Sequence, residues 1–335
     1  MRRFILLLVL AVPALSFAKP DRPKVAPKTT GIFVLDDCDE QYKDKDNYKD
    51  NFTLIDSAGE QTFRVSGFNV CESIGSSRMI AADPARKCVW VIENVARRIR
   101  RFDLAGKETL TINGIRGSAI AVDSETGNIW ALEGGKIGEG KTVVLDEKGR
   151  LVASYDISGW DIVYDRKAKA FWIADRNLSK VSAAKGEVLF SVPVSTWCAS
   201  SLDFDPTGGG VWVSVREYTQ GDGSSNRLLR FDAKGKEIAA IDLGQKTPFR
   251  VSVSPKDGSV WVAHLGKSVE RFSGEGKSLV EHPVTALAVQ IDPAAEGDIW
   301  VVTPTEVQKI TPKGEVTRRL GHAGKTSQAW IAALE

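Results

Sequence analysis

The sequence predicts an all-β chain built as a seven-bladed β-propeller. Three observations carry that prediction: a phrase that recurs six times, a period near 40 residues, and two end segments that together make one further copy. The phrase is an apolar strand ending in Asp or Ser, a turn, and a strand with Trp near its start. It runs from Asp83-Pro84 to Trp90, Asp123 to Trp130, Asp165 to Trp172, Asp205-Pro206 to Trp212, Ser254-Pro255 to Trp261, and Asp292-Pro293 to Trp300. The first residue and the Trp are seven apart in five copies and eight in the last, and successive tryptophans are 40, 42, 40, 49 and 39 residues apart.

At the N-terminus, Met1-Arg2-Arg3 and an apolar run from Phe4 to Leu15 lead to Ser16 and Ala18, small residues where a signal peptidase cleaves. Residues 1–18 are therefore expected to be a secretory signal peptide removed after Ala18, which makes the protein periplasmic or extracellular. Pro13 interrupts the run, and no later segment approaches the roughly 20 apolar residues that a spanning helix needs, so no membrane span is expected. Cleavage takes Arg2 and Arg3 from the 45 basic residues and leaves 43 against 43 acidic ones. A balanced surface argues against nucleic acid as the partner, because that role leaves a basic excess. Residues 19–30 read as a linker and residues 31–335 as the propeller.

Within 31–335, each repeat reads as four short antiparallel strands, A to D from the inside out. Ser118-Ala119-Ile120-Ala121-Val122 exemplifies A, and the Trp phrases are B. A second anchor marks C and its turn into D: Phe102-Asp103 with Gly106, Leu145-Asp146 with Gly149, Phe231-Asp232 with Gly235, and Phe272-Ser273 with Gly276. Asp or Ser followed three residues later by Gly is hairpin chemistry, since Gly takes positive φ without strain. A single sheet of this size cannot bury both faces. Stacked radially, the blades cover one another, and a Trp at the same point of every B strand wedges between neighbours, which makes these tryptophans core. The 49-residue gap is a lengthened hairpin whose tip is Gly221-Asp222-Gly223-Ser224-Ser225-Asn226.

The ends supply the remaining blade. Gly31 to Leu35 reads as B, Phe52 to Asp56 with Gly59 as C and its turn, and Gln61 to Val65 as D; Ala329 to Leu334 offers the missing A strand. Joining them closes the ring and removes exposed sheet edges. A six-bladed ring with a loose tail is the alternative.

Residues Trp90 to Asp103, WVIENVARRIRRFD, carry a family resemblance: a strand runs into acidic Glu93, then Arg98-Ile99, then Phe102 and Asp103. This resembles the NHL repeat and the wider NHL and SMP-30-like propeller group, although Ala96 stands where Asn is usual. The resemblance implies a six- or seven-bladed propeller. The group holds lactonases, lyases and plain binding scaffolds, so chemistry does not follow from membership.

Loops joining B to C and D to the next A share one face, around the mouth of the central channel, where ligands commonly bind. Residues placed there are Glu93, Asn94, Glu133, Asp175, Arg176, Arg216, Glu217 and His264 after the B strands, with Arg78, Asp161, Trp197 and Arg250 ahead of the A strands. The ligand-binding expectation rests on Glu93, Asn94, Glu133, Asp175, Arg176, Trp197, Arg216, Glu217, Arg250 and His264. No serine carries a nucleophile signature, and catalytic residues stay unassigned. The first reading is accordingly a non-enzymatic binding or scaffold module for a protein, small-molecule or glycan ligand at that face. The alternative is a metal-dependent hydrolase or lyase of a lactone or saccharide-like molecule. Glu93, Glu133, Asp175 and Glu217 are then nominated by position to hold a divalent cation such as Ca²⁺, which takes oxygen ligands; in SMP-30-like hydrolases a metal sits there.

Of the four cysteines, Cys38 follows the B strand of the closing blade and Cys71 lies in the loop leading onward from that blade. Both fall on one face, which predicts a Cys38–Cys71 disulfide contributing about 3–4 kcal/mol. Cys88 in an A-to-B turn and Cys198 on the other face are expected to be free.

Overall fold

The computed structural model describes residues 30–38, 50–68, 70, 78–134, 140–195, 198–216, 226–295, 297–321 and 326–334. The predicted signal peptide and nearly all of the linker lie outside them. Strands fill seven four-stranded antiparallel sheets, and the single helical element among the described residues is a 3-10 turn, Pro84–Arg86. Blade 1 holds Ile80–Asp83, Cys88–Glu93, Arg98–Asp103 and Glu108–Asn113 as strands A to D. Blade 2 is Gly117–Val122, Ile129–Gly134, Gly140–Leu145 and Leu151–Tyr155; blade 3 is Asp161–Asp165, Ala170–Ala174, Asn177–Ser182 and Val188–Pro193. Cys198–Asp205, Gly210–Arg216, Asn226–Phe231 and Glu237–Gly244 make blade 4, and Pro248–Val253, Val260–His264, Ser268–Phe272 and Ser278–Pro283 make blade 5. Ala288–Ile291, Ile299–Val302, Glu306–Ile310 and Val316–Gly321 make blade 6. Blade 7 joins the two ends: the C-terminal Thr326–Leu334 is its A strand, followed by Gly31–Cys38, Asp50–Asp56 and Gln61–Phe68.

Closure follows the expected pairing, antiparallel from Gly31 opposite Leu334 to Leu35 opposite Trp330. Each A strand touches the A strand of the next blade all the way round, so the ring is complete and the six-bladed alternative is excluded. No helix among the described residues is long and apolar enough to cross a membrane.

The turn chemistry explains why the phrase repeats. At the end of the A strands, Asp83, Asp123, Asp165, Asp205 and Asp292 accept hydrogen bonds from turn amides at 2.8–3.2 Å. These are the local side-chain bonds that make Asp a turn former. At the C-to-D turns, Asp103 accepts from the amides of Ala105 and Lys107, both at 2.9 Å, and Gly106 takes φ 78°. A Cβ at Gly106 would also lie 2.7 Å from the Phe63 ring of blade 7, so the turn nests against the preceding blade.

All six repeat tryptophans are buried, and each packs on the blade that follows. Phe33 takes the equivalent place in blade 7 within an aromatic cluster of Phe52, Phe63, Phe68 and Phe102. Five of the tryptophans also face a basic residue on strand C: Arg101, Lys180, Arg230, Arg271 and Lys309. Lys180, Arg230 and Lys309 reach the Asp that ends the A strand of their own blade, at 2.9, 2.5 and 2.5 Å. Blade 2 departs from this pattern with Val144 opposite Trp130, and Tyr155 stacks on the indole instead.

Candidate functional site

The A strands are the innermost strands, and residue by residue they line a cavity of about 820 Å³ on the ring axis. Its opening lies among the A-to-B turns, where Pro84, Ser124, Arg166, Pro206, Lys256 and Pro293 line it. This is the face opposite the one the B-to-C and D-to-A loops singled out.

The residue opposite the Trp, or opposite Phe33 in blade 7, defines one level of the channel. Around the ring it is Ala81, Ala121, Val163, Asp203, Ser252, Gln290 and Ala332. Blades 4 to 6 are polar at this level and the other four apolar. In the polar arc the side chains take up backbone amides of the next blade: Val253 N–H donates to Asp203 Oδ2 at 2.9 Å, and Ile291 N–H donates to Ser252 Oγ at 2.9 Å. The Gln290 amide donates to Ser252 Oγ at 3.3 Å. Strand edges that would otherwise face the channel unpaired are satisfied in this way.

At the inner end, Arg78 crosses the axis. It leads into blade 1, yet its Nε donates to Asp161 Oδ1 of blade 3 at 3.2 Å and its Nη2 donates to the Leu202 carbonyl of blade 4 at 2.8 Å. Asp161 is buried and also accepts from Ser201 Oγ at 3.2 Å and Leu202 N–H at 2.9 Å. A register shift between Ala199 and Ser201 accompanies this arrangement, as bulges do where a side chain is re-aimed. The second carboxylate, Asp203, stands 3.7 Å from Arg78 Nη2, beyond hydrogen-bond reach, with its side chain 18% exposed to the channel. Burial raises the Asp203 carboxyl to about 6 against the pull of Arg78, and Asp161 beside it adds to the rise. Two carboxylates thus share one guanidinium.

The residues expected to bind ligand are placed as follows. Glu93 is fully buried and held by Arg98 through two bonds of 2.9 Å, with Arg100 at 3.3 Å. Asn94 is half-buried, and its N–H donates to the Val70 carbonyl. Glu133 pairs with Lys141, its cross-strand partner, at 3.1 Å. Asp175 is buried with Ser158 Oγ at 3.4 Å, and its Oδ1 has no partner among the described residues. Arg176 is exposed, and its carbonyl takes the amides of Val194 and Ser195. Ser195 Oγ donates to the Arg216 carbonyl at 3.3 Å. Arg250 stacks on the Phe249 ring at 4.0 Å. His264 is fully buried, with Nε2 3.2 Å from Glu270 Oε2, and burial lowers its pKa. Trp197 and Glu217 lie outside the described residues.

Glu93, Glu133 and His264 thus find charged partners on their own blades. Among the described residues no three His, Cys, Asp or Glu side chains are grouped to hold a metal ion. The cation that lies on the axis is Arg78 itself. The Cys38–Cys71 pair falls outside the described side chains. Cys88 is free and buried, and burial pushes its thiol up to about 12, which makes it inert as a nucleophile.

Sequence reasoning had placed Arg78 and Asp161 ahead of their A strands but missed Asp203. The signal was there: nine residues before each of the first five tryptophans stand Ala81, Ala121, Val163, Asp203 and Ser252, a column with one charge.

No family model and no curated protein sequence matches the chain. Among solved structures it is similar to a hydrazine synthase of Kuenenia stuttgartiensis at 13% identity, over 82% of this chain and 90% of that one, with a TM-score of 0.64. At that identity the likeness is one of fold, and the fold is the seven-bladed β-propeller.

Proposed function

We propose that this chain is an exported, non-enzymatic binding module whose ligand enters the axial channel from the A-to-B turn face. The observation that supports this reading is the channel itself. A cavity of about 820 Å³ falls within the usual size of small-molecule sites, and its A-strand wall is largely apolar, with Arg78, Asp203 and Gln290 as polar groups. The export half of the proposal rests on residues 1–18, and sequencing the N-terminus of the mature protein should return Lys19 as the first residue.

Ala82 lines the channel, so Ala82→Phe plugs it without touching the polar arc. A thermal-unfolding screen of a small-metabolite panel is expected to find compounds that stabilise the wild type and leave Ala82→Phe unmoved, because a ligand that binds only the native state raises the midpoint. Equal responses from the plugged variant, or no response from the wild type, would sink the reading.

A further inference from the structure

We propose that the ligand is a small organic monocation, a primary amine with an apolar body, seated with its ammonium group against Asp203 at the inner end of the channel. This inference rests on the channel reading above and adds to it the chemical class of the guest.

The first support is the charge balance at the inner end. Arg78 commits Nε to Asp161 and Nη2 to the Leu202 carbonyl, and only 3.7 Å contact remains to Asp203 Oδ1. The described groups at that end therefore carry one positive charge against two carboxylates. A largely buried carboxylate without a close countercharge is costly, and an incoming cation relieves that cost.

Hydrogen-bonding capacity points the same way. Gln290 also lines the channel, and its NH₂ is given to Ser252 Oγ at 3.3 Å, which leaves its carbonyl oxygen as an acceptor. Asp203 takes backbone amides alone, Val253 N–H at Oδ2 and the neighbouring Phe204 N–H, while its nearest cation, Arg78, stays at 3.7 Å. The polar arc thus offers acceptors, and an ammonium group brings three donors and no acceptor.

Shape and mouth chemistry set the rest of the guest. Facing the polar arc at the same level are Ala332, Ala81, Ala121 and Val163, small apolar groups that suit a hydrocarbon body. Among the described residues, the basic side chains that line the channel besides Arg78 are Arg166 and Lys256, both at the A-to-B turns. Both belong to turns at the mouth, at the other end of the channel from Arg78, and so favour the ammonium end lying deep.

The test compares hexylamine, hexanoate and hexanol, equal in chain length and different in charge, by calorimetric titration of the mature protein at pH 7.5. Hexylamine is expected to bind at least tenfold more tightly than the other two. Asp203→Asn, which keeps an acceptor for the Val253 amide, is expected to reduce hexylamine affinity about tenfold and leave hexanol unchanged, with its far-ultraviolet circular dichroism confirming the fold. Preference for hexanoate, or a hexylamine affinity indifferent to Asp203→Asn, would overturn the amine inference while leaving the channel as a binding site. Failure of all three probes to bind, with Ala82→Phe indistinguishable from the wild type, would remove the channel reading and this inference with it.

Discussion

Two arcs of one ring can be compared position by position. In blades 4, 5 and 6 the A-strand residue opposite the Trp is Asp203, Ser252 or Gln290; in blades 7, 1, 2 and 3 the corresponding residue is Ala332, Ala81, Ala121 or Val163. Both arcs are built from the same four-stranded blade. What differs is what the residue at this level offers the next blade: Asp203 and Ser252 accept a backbone amide, and the alanines and Val163 offer only apolar contact. A symmetric scaffold has thereby acquired a polar side and an apolar side, the asymmetry that lets a channel orient a guest.

The largest expected effect comes from Asp161, which holds Arg78 ahead of blade 1 and the A strand of blade 4 at once. Asp161→Ala removes the partner of Arg78, Ser201 Oγ and Leu202 N–H together. Breaking a buried pair on one side typically costs about 3–5 kcal/mol, and urea unfolding should show a loss of that order. A loss below about 1 kcal/mol would mean that Arg78 re-pairs with Asp203 and that the crossing is replaceable.

Next comes Asp203, whose effect depends on pH. Its folded pKa, about 6, lies above the unfolded value near 3.9, so the folded state binds the proton more tightly. The resulting stability is complete below about pH 4 and is lost as pH rises through 6. The charged groups facing Asp203 are Arg78, which opposes the shift, and Asp161, which adds to it. Carboxylates such as Asp123, Asp205 and Asp257 are shifted down despite burial, by hydroxyl and amide donors or basic neighbours, and act with the opposite sign as pH falls below 4. The wild type measured against Asp203→Asn separates the two. The variant should gain about 1–3 kcal/mol on the wild type between pH 4.5 and 7, and parallel curves would show that Asp203 ionises normally.

How much of this was legible in the sequence depends on whether the signal was local. Asp103 with Gly106, and Asp83 ahead of Trp90, are turn and packing signals spaced within a few residues, so the repeat revealed the blades and even the closing strand around Trp330. Salt bridges of the B-to-C face are also local: Glu133 lies directly across the hairpin from Lys141. The Arg78–Asp161 bond joins residues 83 positions apart across the axis, and nothing in either neighbourhood announces it. Asp203 was overlooked for a related reason. Its column becomes informative only once the strand register is known, and the loops point to one face while strands line the cavity.

A smaller effect tests the polar arc from within. Ser252→Ala removes the acceptor of the Ile291 amide and of the Gln290 NH₂ and leaves a buried N–H unpaired, at a cost of about 1–3 kcal/mol. Amide exchange at Ile291 should quicken in the same variant, since the bond that protects it is gone.

The smallest effect is the most exacting, because it asks whether the device of the polar arc can be moved into the apolar one. Ser252 serves the amide one residue past the ring position of the next blade, Ile291 after Gln290, and Asp203 does the same for Val253 after Ser252. By that rule, a serine at position 121 would serve the amide of Tyr164, which follows Val163. Ala121 is buried at the channel wall, and a serine there adds one hydroxyl to a strand that already has the right register. Ala121→Ser is therefore expected to be neutral or to stabilise by up to about 1 kcal/mol, the net worth of one hydrogen bond, with slower exchange at Tyr164. If it destabilises by more than about 1 kcal/mol, the arcs differ in backbone geometry as well as in side chains, and the polar arc is then a built site whose strands are placed for Asp203 and Ser252.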